Sequence, residues 1–393
     1  MKRAKFLISD ENFRAFMLSK VIGQRAAKLQ LITALNNNRF AHAYLISGEE
    51  GLGADELSIE MAKFILCAHP DKKNSEPCQA CANCKKISSF QHPDVHYYFP
   101  VLKSTDESDM LAMLEDKSQE LYTKVKVAGG SLHIGDPTNP EKNSIRGLLR
   151  EIGLKSYEGN VKIFIVTFVE EMNQESANAL LKILEEPPPQ TLYFLTTGQL
   201  SALLPTIISR CQLVKLQKIR SEEIENSLQE THRINADESR LIARLADGNY
   251  AAALQLVAGE LNPKRELMIN FLIGVLGTRP SAVADAVDSL LAENKKDKGF
   301  VADILTIMST WFQDSFYMNH LKETPDMLDS MLINRDKMER LQKFTRNFPK
   351  ADADLAVIEI EKAVDLISRN IYLNLVMINL GLNLRKIIFN SKN

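Results

Sequence analysis

Four of the five cysteines stand close together: Cys67, Cys78, Cys81 and Cys84, spaced C-x10-C-x2-C-x2-C. Two successive C-x2-C steps bring thiolates within reach of one tetrahedral cation. Four thiolates close the coordination shell, so the chemistry expected is a structural zinc site; a catalytic site keeps one position open. A thioredoxin-like redox role fits poorly, because no such active-site strand precedes the pair. In a reducing compartment such a cluster reads as metal ligands before it reads as disulfides. His92, in His92-Pro93-Asp94, reads as a turn or packing histidine, and Cys211 as a small buried side chain.

A second constellation is Gly48-Glu49-Glu50-Gly51-Leu52-Gly53-Ala54-Asp55. Glycines between an apolar run and a helical pattern are the context of a phosphate-binding loop. The working pattern follows the last glycine with Lys, for the β- and γ-phosphates, and then Ser or Thr for magnesium. Here Ala54 and Asp55 hold those places. A cation is lost and a carboxylate stands where phosphate charge would gather, so tight ATP binding is disfavoured. Two readings stay open at this point: a loop that has lost its nucleotide, and a glycine turn that never bound one. A hydrolase of this build also needs Asp and Glu at the end of a following strand, for magnesium and water. That strand end reads Thr167-Phe168, and Glu170 and Glu171 further on read as solvated charges.

The third candidate is Arg210 in Ser209-Arg210-Cys211, just after Leu203-Leu204-Pro205-Thr206-Ile207-Ile208. A planar guanidinium suits the charge that develops on a transferred phosphoryl group, and an Arg past a helix end can project toward a neighbouring subunit. Taken alone, an Arg there is an ordinary surface ion-pair partner.

The elements that must position these residues follow from periodicity. Residues 43–47, 162–167 and 191–196 are short apolar runs, as strands buried on both faces are. Helical spacing runs over 56–66 and 173–184, and Pro187-Pro188-Pro189 ends the second. Strands alternating with helices predict a parallel α/β sheet. Beyond 216 the pattern becomes helical, with short helices over 222–231, 237–246 and 251–258 and long amphipathic ones such as 301–320 and 352–386. Trp311, Phe312, Phe316 and Tyr317 fit an oligomerisation face and ordinary core packing equally. The polar stretch 101–145 fits no element of the alternation and reads as an insertion, partly mobile.

Composition sets the outer bounds. The 393 residues carry 48 Lys plus Arg against 50 Asp plus Glu, a formal net charge of −2, so the chain is not a basic nucleic-acid coat. Hydrophobic content of 45% and charged content of 25% exclude wholesale disorder and a fibrous repeat. The start, MKRAKFLISDENFRAF, lacks the apolar core of a signal peptide, and no run is apolar enough to span a membrane. A cytoplasmic location is expected.

Several segments together resemble the delta-prime family of bacterial DNA polymerase III clamp-loader subunits, within the AAA+ class. They are Val21-Ile22-Gly23-Gln24, His42-Ala43-Tyr44-Leu45, the altered loop at Gly48–Asp55, the inserted cysteines, His92-Pro93-Asp94 and Ile145-Arg146. Asn178-Ala179-Leu180-Leu181-Lys182, Leu184-Glu185-Glu186-Pro187-Pro188, Leu203-Leu204-Pro205-Thr206-Ile207 and Ser209-Arg210-Cys211 follow in order. The strong matches cover about 20–100 and 145–216. The C-terminal third matches weakly, through Arg369-Asn370 and Asn374-Leu375.

The resemblance implies three domains: an AAA+ RecA-like domain over 1–216, with a zinc module at 67–84 and the insertion at about 101–145; a helical lid over 217–262; and an all-α collar over 263–393. It implies a subunit that does not hydrolyse ATP itself and whose Arg210 acts in trans as an arginine finger on ATP held by a tau/gamma neighbour. The implied partners are tau/gamma and delta, with the sliding clamp and primed DNA reached through the complex, and no membrane. Motor subunits carry a lid Arg in Gly-x-x-Arg-x-Ala-Leu; here Gly248-Asn249-Tyr250-Ala251 puts Ala251 in that place. The competing readings are an active NTPase with a variant loop, and a stand-alone zinc-containing DNA-binding protein. Lys72, Lys73, Lys85 and Lys86 near the cysteines favour a solvated face over the latter.

Overall fold

The structure, a computed structural model, describes residues 17–158, 161–293, 298–321, 324, 327–328, 331–369 and 371–389. The stretch 1–16, read above for a leader, and Asn370 lie outside them. The chain divides into two compact units, Met1–Glu223 with Gly248–Ala251, and Ile224–Asp247 with Ala252–Asn393.

The first unit is built on five strands among the described residues: β1 (Ala43–Ser47), β2 (Val95–Tyr98), β3 (Lys162–Val166), β4 (Thr191–Thr197) and β5 (Gln212–Lys215). Their order is β2-β3-β4-β1-β5 and every pairing is parallel. Alternate residues serve opposite faces, as the pleat requires. Tyr44, Ile46, Ile163, Ile165 and Phe194 join one core, and Ala43, Leu45, Phe164, Val166, Tyr193 and Leu195 the other. That two-sided burial is why these runs are apolar without interruption. β1 lies between β4 and β5, so the loop leaving it opens where the strand order turns, the place where open α/β sheets form their ligand crevice.

Around the sheet lie α1 (Arg25–Asn36), α2 (Ala54–Leu66), α3 (Ala82–Ser88), α4 (Glu107–Gln119), α5 (Ile145–Ile152), α6 (Gln174–Glu185) and α7 (Pro205–Ile208). Gly53 enters α2 at φ 101°, a left-handed conformation that only glycine adopts without strain. Asn173 caps α6 by accepting from the Ser176 N–H, and the helix stops before the proline run. The insertion is more regular than its polarity predicts. Asp106 caps α4 by accepting from the Asp109 N–H. Met110, Met113 and Leu114 then pack on Phe99, Val101 and Val125 in a small core of their own.

The second unit is helical among the described residues. It holds α8 (Ser221–His232), which begins in the last residues of the first unit, then α9 (Ala236–Leu245) and α10 (Tyr250–Gln255), whose first residues also belong to the first unit. It continues with α11 (Leu261–Val275), α12 (Ala282–Glu293), α13 (Lys298–His320), α14 (Met338–Asn347), α15 (Ala353–Ser368) and α16 (Leu373–Phe389). Two expectations change. The helix expected over 251–258 ends as an α-helix at Gln255 and passes through a π turn, Leu256–Glu260, directly into α11, which carries Pro263 near its start. The helix expected over 352–386 is two helices. Unbroken, it would reach about 50 Å; instead α15 ends at Ser368 and α16 returns against it. Trp311 and Phe312 are buried, so core packing accounts for them. Buried Arg265 forks onto Asp336 at 2.7 and 2.8 Å and reaches Asn334 Oδ1 at 3.0 Å. Asn334 in turn bonds Asp314, which is fully buried.

Candidate functional site

The cysteine cluster sits where α2 ends and α3 begins. Cys67 follows the last turn of α2 in an extended conformation, and Cys81 caps α3. The four Sγ atoms all lie within 4.8 Å of one another, and the Cys67 and Cys81 sulfurs are 4.0 Å apart. Tetrahedral thiolates about 2.3 Å from one cation stand a little under 4 Å apart, so the set has the size of a closed metal site. Backbone N–H groups of Cys78, Cys81 and Cys84 donate to the sulfurs of Cys67, Cys78 and Cys81 at 3.2, 3.3 and 3.4 Å. These bonds favour the thiolate form and fix ligand direction. The cluster can hold one metal ion and, with only sulfur donors, suits a soft one. His92 is apart from it: its Nδ1 accepts from the Asp94 N–H at 3.1 Å and the ring is buried, the packing role expected. Cys211 is half-buried against the sheet core, and burial pushes its thiol up to about 12.

Asp55 lies in the first turn of α2, the end of the helix dipole that favours negative charge. Its carboxylate is engaged on both oxygens. Thr196 Oγ1, at the end of β4, donates to Oδ1 at 2.8 Å, and Tyr97 Oη, on β2, donates to Oδ2 at 2.9 Å. Burial and the Asp55 charge together hold the Tyr97 phenol well above its usual range. The helix end that would receive phosphate thus carries its own anion, bonded by two hydroxyls.

A cation answers that anion, and it comes from the insertion. Lys117 of α4 is buried, with Nζ 3.1 Å from Glu56 Oε1 and 4.0 Å from Asp55 Oδ2. It also donates to the Leu121 and Thr123 carbonyls at 2.9 and 3.0 Å, so each N–H has an acceptor. Burial pushes the Glu56 carboxyl up, and Lys117 opposes the shift. Nothing in the local pattern of 101–145 marked Lys117: one lysine in a polar stretch has no periodic partner.

The glycine loop is closed from a second side. Asn249 Nδ2 donates to the Glu50 carbonyl at 2.8 Å, and the Ala251 N–H donates to the Gly51 carbonyl at 3.4 Å. A Cβ on Gly51 would come within 2.1 Å of Asn249 Oδ1, and φ there is 85°. Glycine at this place is therefore required by the chain's own approach as well as by the turn.

Glu170 and Glu171 are not simply solvated. Glu170 Oε1 accepts from the Gly198 N–H at 2.8 Å, and Glu171 pairs with Lys126 of the insertion. Arg210 stands between α7 and β5, one third exposed. Its NH2 lies 2.6 Å from Glu185 Oε1, and its NH1 donates to the Thr206 carbonyl at 3.0 Å. The structure brings Gly48, Gly51, Gly53, Ala54 and Asp55 together as one loop and helix start. The cysteines form a separate cluster at the other end of α2.

The delta-prime subunit of DNA polymerase III of Bacillus subtilis (strain 168) is 31% identical over 232 residues, 59% of this chain and 58% of that one. Its counterpart in Escherichia coli (strain K12) is 26% identical over 243 residues, 62% of each chain. The tau subunit of Bacillus subtilis (strain 168) is 27% identical over 327 residues, 82% of this chain and 49% of that one. In each case the match spans less than two thirds of the relative. The family model described as DNA polymerase III, delta subunit, matches residues 23–220, half of the chain and nearly all of the α/β unit. The parallel sheet, its altered loop and the inserted cysteines therefore belong to a clamp-loader-related chain, a member of the DNA polymerase III delta subunit family.

Proposed function

We propose that the chain is a non-hydrolysing clamp-loader subunit of the delta-prime kind. It assembles with tau/gamma and delta subunits, contributes Arg210 to ATP held by a neighbour, and helps load the sliding clamp on primed DNA through the complex. Structural zinc at Cys67, Cys78, Cys81 and Cys84 completes the α/β domain. A lid over 217–262 and a collar over 263–393 are the divisions this reading assigns. The observation that carries it is the carboxylate of Asp55 seated at the start of α2, bonded by Thr196 and Tyr97. A triphosphate brought there meets repulsion and finds no lysine in the loop itself, no magnesium hydroxyl after it and, at Ala251, no lid arginine; Lys117 is already engaged by Asp55 and Glu56.

The finger role is tested in the reconstituted complex. Where fingers act in trans, their charge stabilisation is worth on the order of 10³–10⁵ in rate. Arg210→Ala lowers the DNA-stimulated ATPase rate, with the complex still assembling on a sizing column. An unchanged rate at saturating subunit removes the role. Micromolar binding of labelled ATP to the isolated chain would instead return the variant-loop NTPase.

A further inference from the structure

The segment that runs on from Lys117 enters the phosphate-loop region and makes contacts of the kinds a nucleotide makes. We propose that residues 117–124 are an internal surrogate for a bound nucleotide, tying the glycine loop and the 248–251 turn together with no ligand. The proposal rests on the reading of this loop as one that takes no ATP; it does not depend on Arg210.

Three side chains of the segment carry it: Tyr122, Lys117 and Lys124. Tyr122 is buried, and its hydroxyl oxygen accepts the Ile22 N–H at 2.8 Å. The phenolic oxygen thus takes a backbone donor at the entry to the loop region, where a ligand acceptor would otherwise be needed. The ring meets Tyr250 edge to face, centroids 4.7 Å apart, and a Cβ on Gly53 would lie 3.3 Å from its hydroxyl. Lys117 supplies the charge contact at the helix start with polarity reversed: the anions, Asp55 and Glu56, are on the helix, and the cation is on the inserted segment. Lys124 pairs with Glu50 at 2.5 Å, so the segment also grips the tip of the glycine loop.

The turn at 248–251 is then held from both sides. Asn249 and Ala251 bond the Glu50 and Gly51 carbonyls, and Tyr250 rests on Tyr122. A nucleotide couples such a loop to such a turn only while it is bound. Here the coupling is part of the fold, so the closed arrangement is permanent.

The test is amide hydrogen exchange on the full chain. Tyr122→Phe keeps the ring packing and removes the acceptor. Its loss is expected to speed exchange by about tenfold at Ile22; Tyr122→Leu, which also removes the ring from Tyr250, is expected to speed it at Tyr250 and Ala251 as well. Exchange in α13 stays as in the wild type. Millimolar ATP with magnesium leaves the wild-type loop and melting temperature unmoved. Unaltered exchange at 250–251 in Tyr122→Leu overturns the proposal, as does wild-type protection that grows with ATP. The ATPase of the complex reads Arg210 separately, so either idea can fall while the other stands.

Discussion

At the scale of single residues, buried charge decides what the unit tolerates. Lys28, on α1, is 7% exposed and bonds the Val21 carbonyl. Burial lowers its ammonium from 10.5 to about 8, against the opposing pull of Glu76, Glu223 and Glu60. Between those two pH values the unfolded chain holds the proton and the folded chain has released it. Stability contributed by this group therefore rises as pH increases from 8 to 10.5, by up to about 3 kcal/mol. Urea unfolding of wild type and Lys28→Met at pH 8 and pH 10 measures it: the wild type should gain relative to the variant at the higher pH. Parallel profiles would mean that the ammonium keeps its ordinary affinity. No motif in the sequence marks Lys28; its burial and its bond to the Val21 carbonyl belong to the tertiary structure.

At the scale of elements, the four-cysteine module is a short piece whose order should depend on a metal. α3 has seven residues, too few to persist alone in water, and its cap is a cysteine sulfur. A metal held by the four cysteines would join that cap to the end of α2 at Cys67. Chelation should release the module: trypsin cleavage at Lys72 and Lys73 should accelerate, and one zinc per chain should appear in the dialysate. Resistance unchanged by a strong chelator would show that packing alone holds it. The spacing of these cysteines was legible because metal geometry constrains ligands directly, whatever surrounds them. The insertion was not legible. Its helix is polar along most of its length, and the side chain that matters, Lys117, is identified only by Glu56 sixty-one residues earlier.

At the scale of the molecule, two units with separate cores predict unfolding that is not all-or-none. Calorimetry should give a van't Hoff enthalpy smaller than the measured enthalpy. The chelator should move the component belonging to the α/β unit and leave the helical one in place. Equal enthalpies and a single displaced transition would show that the units melt as one. Among the described residues no helix is long and apolar enough to cross a membrane.

The chain's own pattern determined β1, β3, β4, α2 and α6, the cysteine set and the loss of the loop lysine. Each of these is written in neighbouring residues: unbroken apolar runs, a proline stop, a C-x2-C step, a missing cation. Tertiary structure alone decided what replaces the missing contacts. Tyr97 and Thr196 reach Asp55 from two different strands, Lys117 arrives from an inserted helix, and Asn249 returns from the far end of the α/β unit. Short-range periodicity carries no record of such partners. Their bonds join groups dozens to nearly two hundred residues apart, and only the sheet order and the paths between strands bring them to one helix end.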